Sequence, residues 1–379
     1  MTDFDRIIDR QNTACIKWDK YKGRDVIPMW VADMDFEAPG PVIEAIIERA
    51  RHGVFGYTCE PDELSGVITD MLEKEYAWRI KPSWLVWLPG LVTGLNAACR
   101  TMPGRKVMTS IPVYPPFLSA PQNAGKKLVS TEHIIEYGRY MFDFDSIDKA
   151  ASKDTDMFIL CNPQNPLGRV FGAEELKTLG EICLRRGMII CSDEIHCGLV
   201  LDKDKNHVPI ASLSEEIASK TITLMAPSKT FNIPGLGFSF AVIPDEKIRK
   251  SFRKAMDGIV PHVNIFGYTA GLSAYRDCRD WQDSLLEYLR GNRDLLEKSI
   301  HEIKGLSIKH VEATYLAWID CRELGIQNPA AFFEEKGVGL SDGCDFGVKG
   351  FLRLNFGCPR AVLEDALDRI KKAVSDLKI

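Results

Sequence analysis

Met188-Ile-Ile-Cys-Ser-Asp-Glu-Ile-His196 runs four apolar residues straight into a polar turn that carries a carboxylate. A run this short and this apolar reads as a parallel strand covered on both faces, not as an amphipathic helix. Two more stretches have the same build. Met157-Phe-Ile-Leu-Cys161 leads into Asn162-Pro-Gln-Asn-Pro-Leu-Gly168, and Thr221-Ile-Thr-Leu-Met-Ala226 leads into Pro227-Ser-Lys-Thr-Phe-Asn232. Asn165, Asp193 and Lys229 therefore each lie just past the carboxyl end of a strand, where open parallel sheets bind small molecules. Asn165 and Asp193 are 28 residues apart and Asp193 and Lys229 are 36 apart, each about one strand-helix-strand step.

From about Ala38 to Tyr275, strand candidates alternate with helical patterns, as in a mostly parallel α/β sheet. Residues 174–186 show one such helix: Leu176, Leu179, Ile182 and Cys183 fall on one face, with acids at the start and arginines at the end to match the helix dipole. After Tyr275 the pattern changes. A long amphipathic stretch over 281–303 precedes the strand candidates Leu306-Ser-Ile-Lys-His-Val311, Tyr315-Leu-Ala-Trp-Ile-Asp320 and Phe351-Leu-Arg-Leu-Asn-Phe356, and a last helix carries Leu363, Ala366, Leu367, Ile370 and Val374 on one face. The expected division is a large domain over 38–275, a smaller α+β domain over 276–379, and an N-terminal segment, 1–37, packed with the small domain.

The 379 residues are 45% hydrophobic and 27% charged, with a formal net charge of -5, which excludes the electrostatic footprint of a nucleic-acid or anionic-membrane binder. The opening Met1-Thr-Asp-Phe-Asp-Arg is too charged for a secretory signal, and the uncharged stretch 83–99 is broken by Pro89-Gly90. Eleven cysteines without a Cys-x-x-Cys pair suit reduced thiols better than disulfides or zinc, so a cytoplasmic protein is expected.

A lysine desolvated at a strand end loses proton affinity and becomes a competent amine for carbonyl chemistry, although a solvated loop lysine reads the same way. A carboxylate buried like Asp193 is costly unless a cation or donors meet it. Such a partner can be a protonated heterocyclic nitrogen; the plain alternatives are a helix cap or a metal site with Glu194 and His196. Asn165 is held rigidly between prolines as an amide donor or as an ordinary Asx turn. Pro89-Gly-Leu-Val-Thr-Gly94, after Trp84-Leu-Val-Trp-Leu88, reads as strand, glycine turn and helix start, so the backbone amides of Leu91 and Val92, with Thr93 nearby, can cradle a phosphate. Arg353, between Phe351 and Leu354, offers a planar fork to a carboxylate, or an interdomain salt bridge.

The trio in this order and spacing resembles the fold-type I pyridoxal phosphate (PLP) family. Trp30-Val-Ala-Asp-Met-Asp-Phe36, Phe55-Gly-Tyr-Thr58, Ser192-Asp-Glu-Ile-His196, Ser228-Lys-Thr-Phe-Asn-Ile233, Ala313-Thr-Tyr-Leu-Ala-Trp-Ile-Asp320 and Phe351-Leu-Arg-Leu-Asn-Phe-Gly-Cys-Pro359 are similar to the MalY/PatB-type cystathionine β-lyases over nearly the whole chain. The resemblance implies a mostly parallel seven-stranded sheet between helices plus a smaller α+β domain. It implies PLP as cofactor and no metal, with Lys229 as covalent anchor and acid/base, Asp193 on the ring nitrogen and Asn165 on the phenolic oxygen. It also implies Tyr114 stacked on the ring, Ser228 at the phosphate, Tyr57 reaching the phosphate of a second subunit in a homodimer, and Arg353 on the substrate carboxylate.

His196 stands where aminotransferases often carry a tyrosine and is expected to touch the cofactor. Many relatives have a phosphate-binding arginine eight residues past the lysine; here that residue is Gly237. The expected reaction is β-elimination from cystathionine or another cysteine S-conjugate, with an aminotransferase, or a member with an added regulatory protein-binding role, as the alternatives.

Overall fold

The computed structural model describes residues 2–377. Its large sheet runs in the order Leu85–Leu88, Ser239–Val242, Thr221–Met225, Ile189–Asp193, Thr155–Cys161, Lys106–Ile111, Lys127–Glu136 and Arg139–Phe142. The five strands from Thr221–Met225 to Lys127–Glu136 pair in parallel, and Ser239–Val242 runs antiparallel to both its neighbours. Among the described residues the sheet has eight strands, one more than the expected seven. The extra strand is a hairpin: Tyr137 (φ 50°) and Gly138 (φ 76°) make the two-residue turn that folds Arg139–Phe142 back on its neighbour. Such a turn needs positive φ at both positions, and a tyrosine in the first of them hides the signal.

Alternation along the central strands explains why they are apolar throughout. Met157, Ile159, Cys161, Ile189 and Cys191 pack on one side with Leu91, Leu95 and Ala98 of the helix Leu91–Thr101. Phe158, Leu160 and Ile190 pack on the other with Leu176, Leu179, Ile182 and Cys183 of the helix Ala173–Arg186. A two-residue repeat with both faces covered leaves few polar positions before the strand ends, and the exceptions, such as Thr223 and Thr109, are small and buried. The second helix starts where the Glu175 carboxylate accepts from the Gly172 N–H (3.0 Å) and stops at Gly187, in the left-handed region at φ 72°.

A four-stranded antiparallel sheet, in the order Ser307–Ile308, Leu316–Asp320, Phe351–Asn355 and Ser341–Asp342, forms the smaller layer. Leu352 and Leu354 turn to its core, with Leu289 and Leu296 of the helix Arg279–His301 and Leu363 and Ile370 of the helix Arg360–Ser375. The residue between the two leucines, Arg353, must face the other way. N-terminal residues Ile27–Pro28 pair in parallel with Val338–Gly339, and Phe4, Met29 and Phe36 enter the same apolar cluster.

Candidate active site

The carboxyl ends of the central strands and the open face of the small sheet enclose a cavity of about 400 Å³, large enough for a cofactor-sized molecule. Asn165, Asp193, Lys229, Tyr114, His196, Ser228, Leu91, Val92 and Arg353 all line it. Nine of the eleven side chains singled out from the sequence therefore meet, although they span 263 residues of chain from Leu91 to Arg353.

Asp193 ends its strand buried, 4% exposed, and desolvation pushes its carboxyl up to about 7 against the opposing pull of the Ile195 N–H and the Lys229 charge. Ile195 N donates to Asp193 Oδ1 (3.1 Å), so a turn accounts for one oxygen and leaves the other to the cavity. Glu194 points across the strand instead, taking Ser192 Oγ (2.8 Å) and His207 Nε2 (2.8 Å). This alternation breaks up the Asp193, Glu194 and His196 metal set, and no cluster of metal-ligating residues exists among the described residues.

Lys229 donates from Nζ to the Ala32 carbonyl (2.6 Å), and burial lowers its amine to about 8 despite the acids Asp33 and Asp193. His196 is buried, and desolvation together with the Lys229 and Arg353 charges lowers its imidazole to about 3, so the ring is neutral. Tyr114 ends the loop before the helix Pro115–Asn123 and is half-buried in the wall.

Arg353 is 4% exposed. It donates to Asn165 Oδ1 (3.1 Å), the Trp30 carbonyl (2.5 Å) and Ser341 Oγ (3.3 Å), and its guanidinium lies over the Phe346 ring at 4.9 Å. All three acceptors are neutral, so no interdomain salt bridge forms among the described residues, and desolvation lowers its pKa to about 10. A buried cation without a counter-ion is a receptor for a ligand carboxylate.

At the far wall Gly90 begins the helix Leu91–Thr101 in extended backbone, which aims the free N–H groups of its first turn at the cavity. The Thr93 side chain opens on a separate cavity with Asn96 and Arg100, because two steps of about 100° turn it from Leu91, while its backbone stays in the first turn beside Leu91 and Val92. Tyr57 is fully exposed and lies outside the cavity of its own chain. At Gly237, φ is +66°, and a Cβ there would sit 3.3 Å from the Pro89 carbonyl oxygen; the position takes glycine because the phosphate turn approaches so closely.

Several wall residues have no local sequence signal: Trp30, Val31, Ala32, Ser341, Asp345 and Phe346. Trp30 to Ala32 arrive through the N-terminal segment, which Asn232 clamps by accepting from Met34 N (2.9 Å) and donating to the carbonyls of Met34 (3.0 Å) and Phe36 (2.8 Å). The string Trp30–Phe36 was visible only as a family resemblance, and Asn232, three residues past the lysine, carried no sign of its partner.

A lysine with a depressed pKa, a carboxylate that favours a cationic hydrogen-bond donor, a helix N-terminus for a phosphate and orphaned buried nitrogens, His196 Nδ1 and Arg353 Nε, together fit a phosphorylated pyridine aldehyde and an amino-acid carboxylate. Comparison with known proteins agrees. Residues 24–370 match the family described as aminotransferase class I and II. The cystathionine β-lyase PatB of Bacillus subtilis is 37% identical over 98% of this chain and all of its own. The crystal structure of OvoB superposes with a TM-score of 0.97 at 43% identity, over 99% of this chain and 100% of that one. Cystalysin from Treponema denticola, whose structure contains pyridoxal 5'-phosphate, gives 0.95 at 32% identity with both chains covered completely.

Proposed function

The chain belongs to the class I and II aminotransferase family, and from that premise we propose how its cavity works. The protein is a PLP-dependent carbon–sulfur lyase of the MalY/PatB type, acting on cystathionine or related cysteine S-conjugates to give a thiol, pyruvate and ammonia. The observation that carries the reading is the convergence of a desolvated lysine, a buried carboxyl raised to about 7 and an arginine without a counter-ion on one cavity.

When bound, PLP supplies an electron sink for the charge that develops at the substrate Cα. Lys229 would hold the cofactor through its amine and, as a free neutral amine, would take the substrate Cα proton; the Cβ–S electron pair would leave with sulfur as the thiol departs. Asp193 would face the cationic ring nitrogen, the charge partner its burial denies it. Asn165 directs its amide N–H to the phenolic oxygen, since its Oδ1 is occupied by Arg353. Backbone amides at residues 91–93 and the Ser228 hydroxyl would hold the phosphate, Tyr114 would offer its ring face to the cofactor ring, and neutral His196 would border it without competing for its protons. Arg353 binds the α-carboxylate with its fork and so aims the Cα–H at Lys229.

Tyr57 reaches the phosphate of a second copy, so the working unit is a homodimer. The exposed apolar side chains Val54, Phe55, Val92 and Ile259 support that assembly. Eleven free cysteines support a reducing, cytoplasmic setting, and no helix among the described residues is long and apolar enough to cross a membrane.

Two measurements test the reading. The purified protein is expected to show a visible absorbance that borohydride bleaches and that Lys229→Ala lacks. Incubated with cystathionine, it is expected to release pyruvate whether or not a keto acid is supplied; amino transfer to the keto acid without pyruvate would overturn the lyase assignment.

A further inference from the structure

Of the four charged side chains that line the cavity among the described residues, Lys229 and Asp193 serve the cofactor and Arg353 the α-carboxylate; the fourth, Asp345, has no task in that scheme. Asp345 sits on the single 3-10 turn Gly343–Phe346. That turn is fixed to the site floor. Asp342 Oδ1 accepts from Cys344 N (2.9 Å), the Phe346 carbonyl accepts from Val113 N (3.2 Å), next to Tyr114, and the Phe346 ring lies under the Arg353 guanidinium. The carboxylate is therefore presented from a rigid support.

Exposure gives the direction of the cavity. Asp193 and Arg353 are each 4% exposed, whereas Asp345 is exposed, so it stands on the rim, beyond the point where the α-carboxylate is held. It makes no hydrogen bond or ion pair among the described residues, although its charge is close enough to favour the protonated form of Arg353. Beyond these four no charged side chain lines the cavity among the described residues, and its wall also includes Trp30, Val31 and Phe346. Behind the Trp30 wall, Lys20 lies over the indole ring at 4.8 Å and pairs with Glu334 at 3.4 Å. A distal ammonium on the substrate would meet the free Asp345 carboxylate, which favours it.

We propose that Asp345 is a specificity-determining residue that selects cysteine S-conjugates whose leaving thiol carries a protonated amine. The inference rests on the lyase reading and names its substrate class. The amine stays on the thiol throughout: the Cβ–S electron pair leaves with sulfur, sulfur takes a proton, and Asp345 only holds the far end.

The test uses the holoenzyme and two conjugates of nearly equal shape, S-(2-aminoethyl)-cysteine and S-propyl-cysteine, with wild type, Asp345→Asn and Asp345→Lys. The ratio of their kcat/KM values, amine over propyl, is expected to fall about fivefold in Asp345→Asn, mostly through KM, and further in Asp345→Lys. A ratio that is the same in all three proteins overturns the proposal even though pyruvate is released. Pyruvate from neither conjugate would sink the lyase reading instead; the dissociation constants of the same pair by calorimetry then decide Asp345 separately, a fivefold loss of amine preference supporting it and equal preference overturning it.

Discussion

Burial raises the Asp193 carboxyl to about 7, from an ordinary value near 4, and this has a sign that can be checked in cofactor-free protein. Between those values the folded chain binds the proton more tightly than the unfolded chain, so stability falls as pH rises from about 4 through 7 and stays low above it. Asp193→Asn removes that cost. Cofactor-free Asp193→Asn is expected to be about 2–4 kcal/mol more stable than wild type at pH 8 and no more stable at pH 4, by urea denaturation at the two pH values. The same variant loses lyase activity in the presence of PLP; equal stability at both pH values would show that the carboxylate is solvated. Arg353→Lys keeps the charge and loses the fork, so kcat/KM for cystathionine is expected to drop about tenfold or more, carried by KM, in steady-state assays. Both residues were legible because each sits at a strand position where a lone charge is out of place. Asp345 and Trp30 were not, since a rim residue on a short turn and a wall residue near the N-terminus become neighbours only when the chain closes.

Gly237 shows how an element's geometry limits its chemistry. The turn ahead of the strand Ser239–Val242 holds it at φ +66° and against the Pro89 carbonyl, and Pro89 begins the phosphate turn. Any side chain here is strained and presses on the backbone that cradles the phosphate. Gly237→Ala is expected to cost about 1–2 kcal/mol in equilibrium denaturation and to raise the Kd for PLP. Gly237→Arg, the residue many relatives carry, is expected to do the same rather than tighten PLP binding; tighter binding would mean that the turn relaxes. Gly94 also packs tightly, since a Cβ there would lie 3.0 Å from the Leu88 and Leu224 side chains, which would have to give by a few tenths of an ångström. The strands Thr155–Cys161, Ile189–Asp193 and Thr221–Met225 and the helix Ala173–Arg186 could be read within about two residues, because burial on both faces and clear caps leave local marks. The hairpin strand Arg139–Phe142 could not, because its turn places Tyr137 in a conformation tyrosine seldom adopts.

Across the whole molecule, the N-terminal segment joins the small sheet to the cofactor cavity through buried charge: Lys17 donates to Asp35 (2.7 Å) and to the Asp33 carbonyl (3.1 Å), and Arg10 pairs with both acids at 2.6 Å. That network fixes Ala32, whose carbonyl accepts from Lys229 and from the Tyr315 hydroxyl (2.9 Å). Every proposed cofactor contact then comes from one chain except Tyr57, which stands on the surface away from its own cavity. If a second copy supplies it, the two-fold symmetry of the dimer makes each site a composite of two chains. Tyr57→Ala and Lys229→Ala then lie on opposite sides of the same site. In a mixed dimer, the site built on the lysine of the first variant receives the tyrosine of the second and is whole, while the other site lacks both. Equal amounts of the two inactive proteins, unfolded and refolded together so that half the dimers are mixed, are expected to recover about a quarter of wild-type activity, one intact site in each mixed dimer. Tyr57 acting within its own chain predicts no recovery, because every subunit would then keep its own defect.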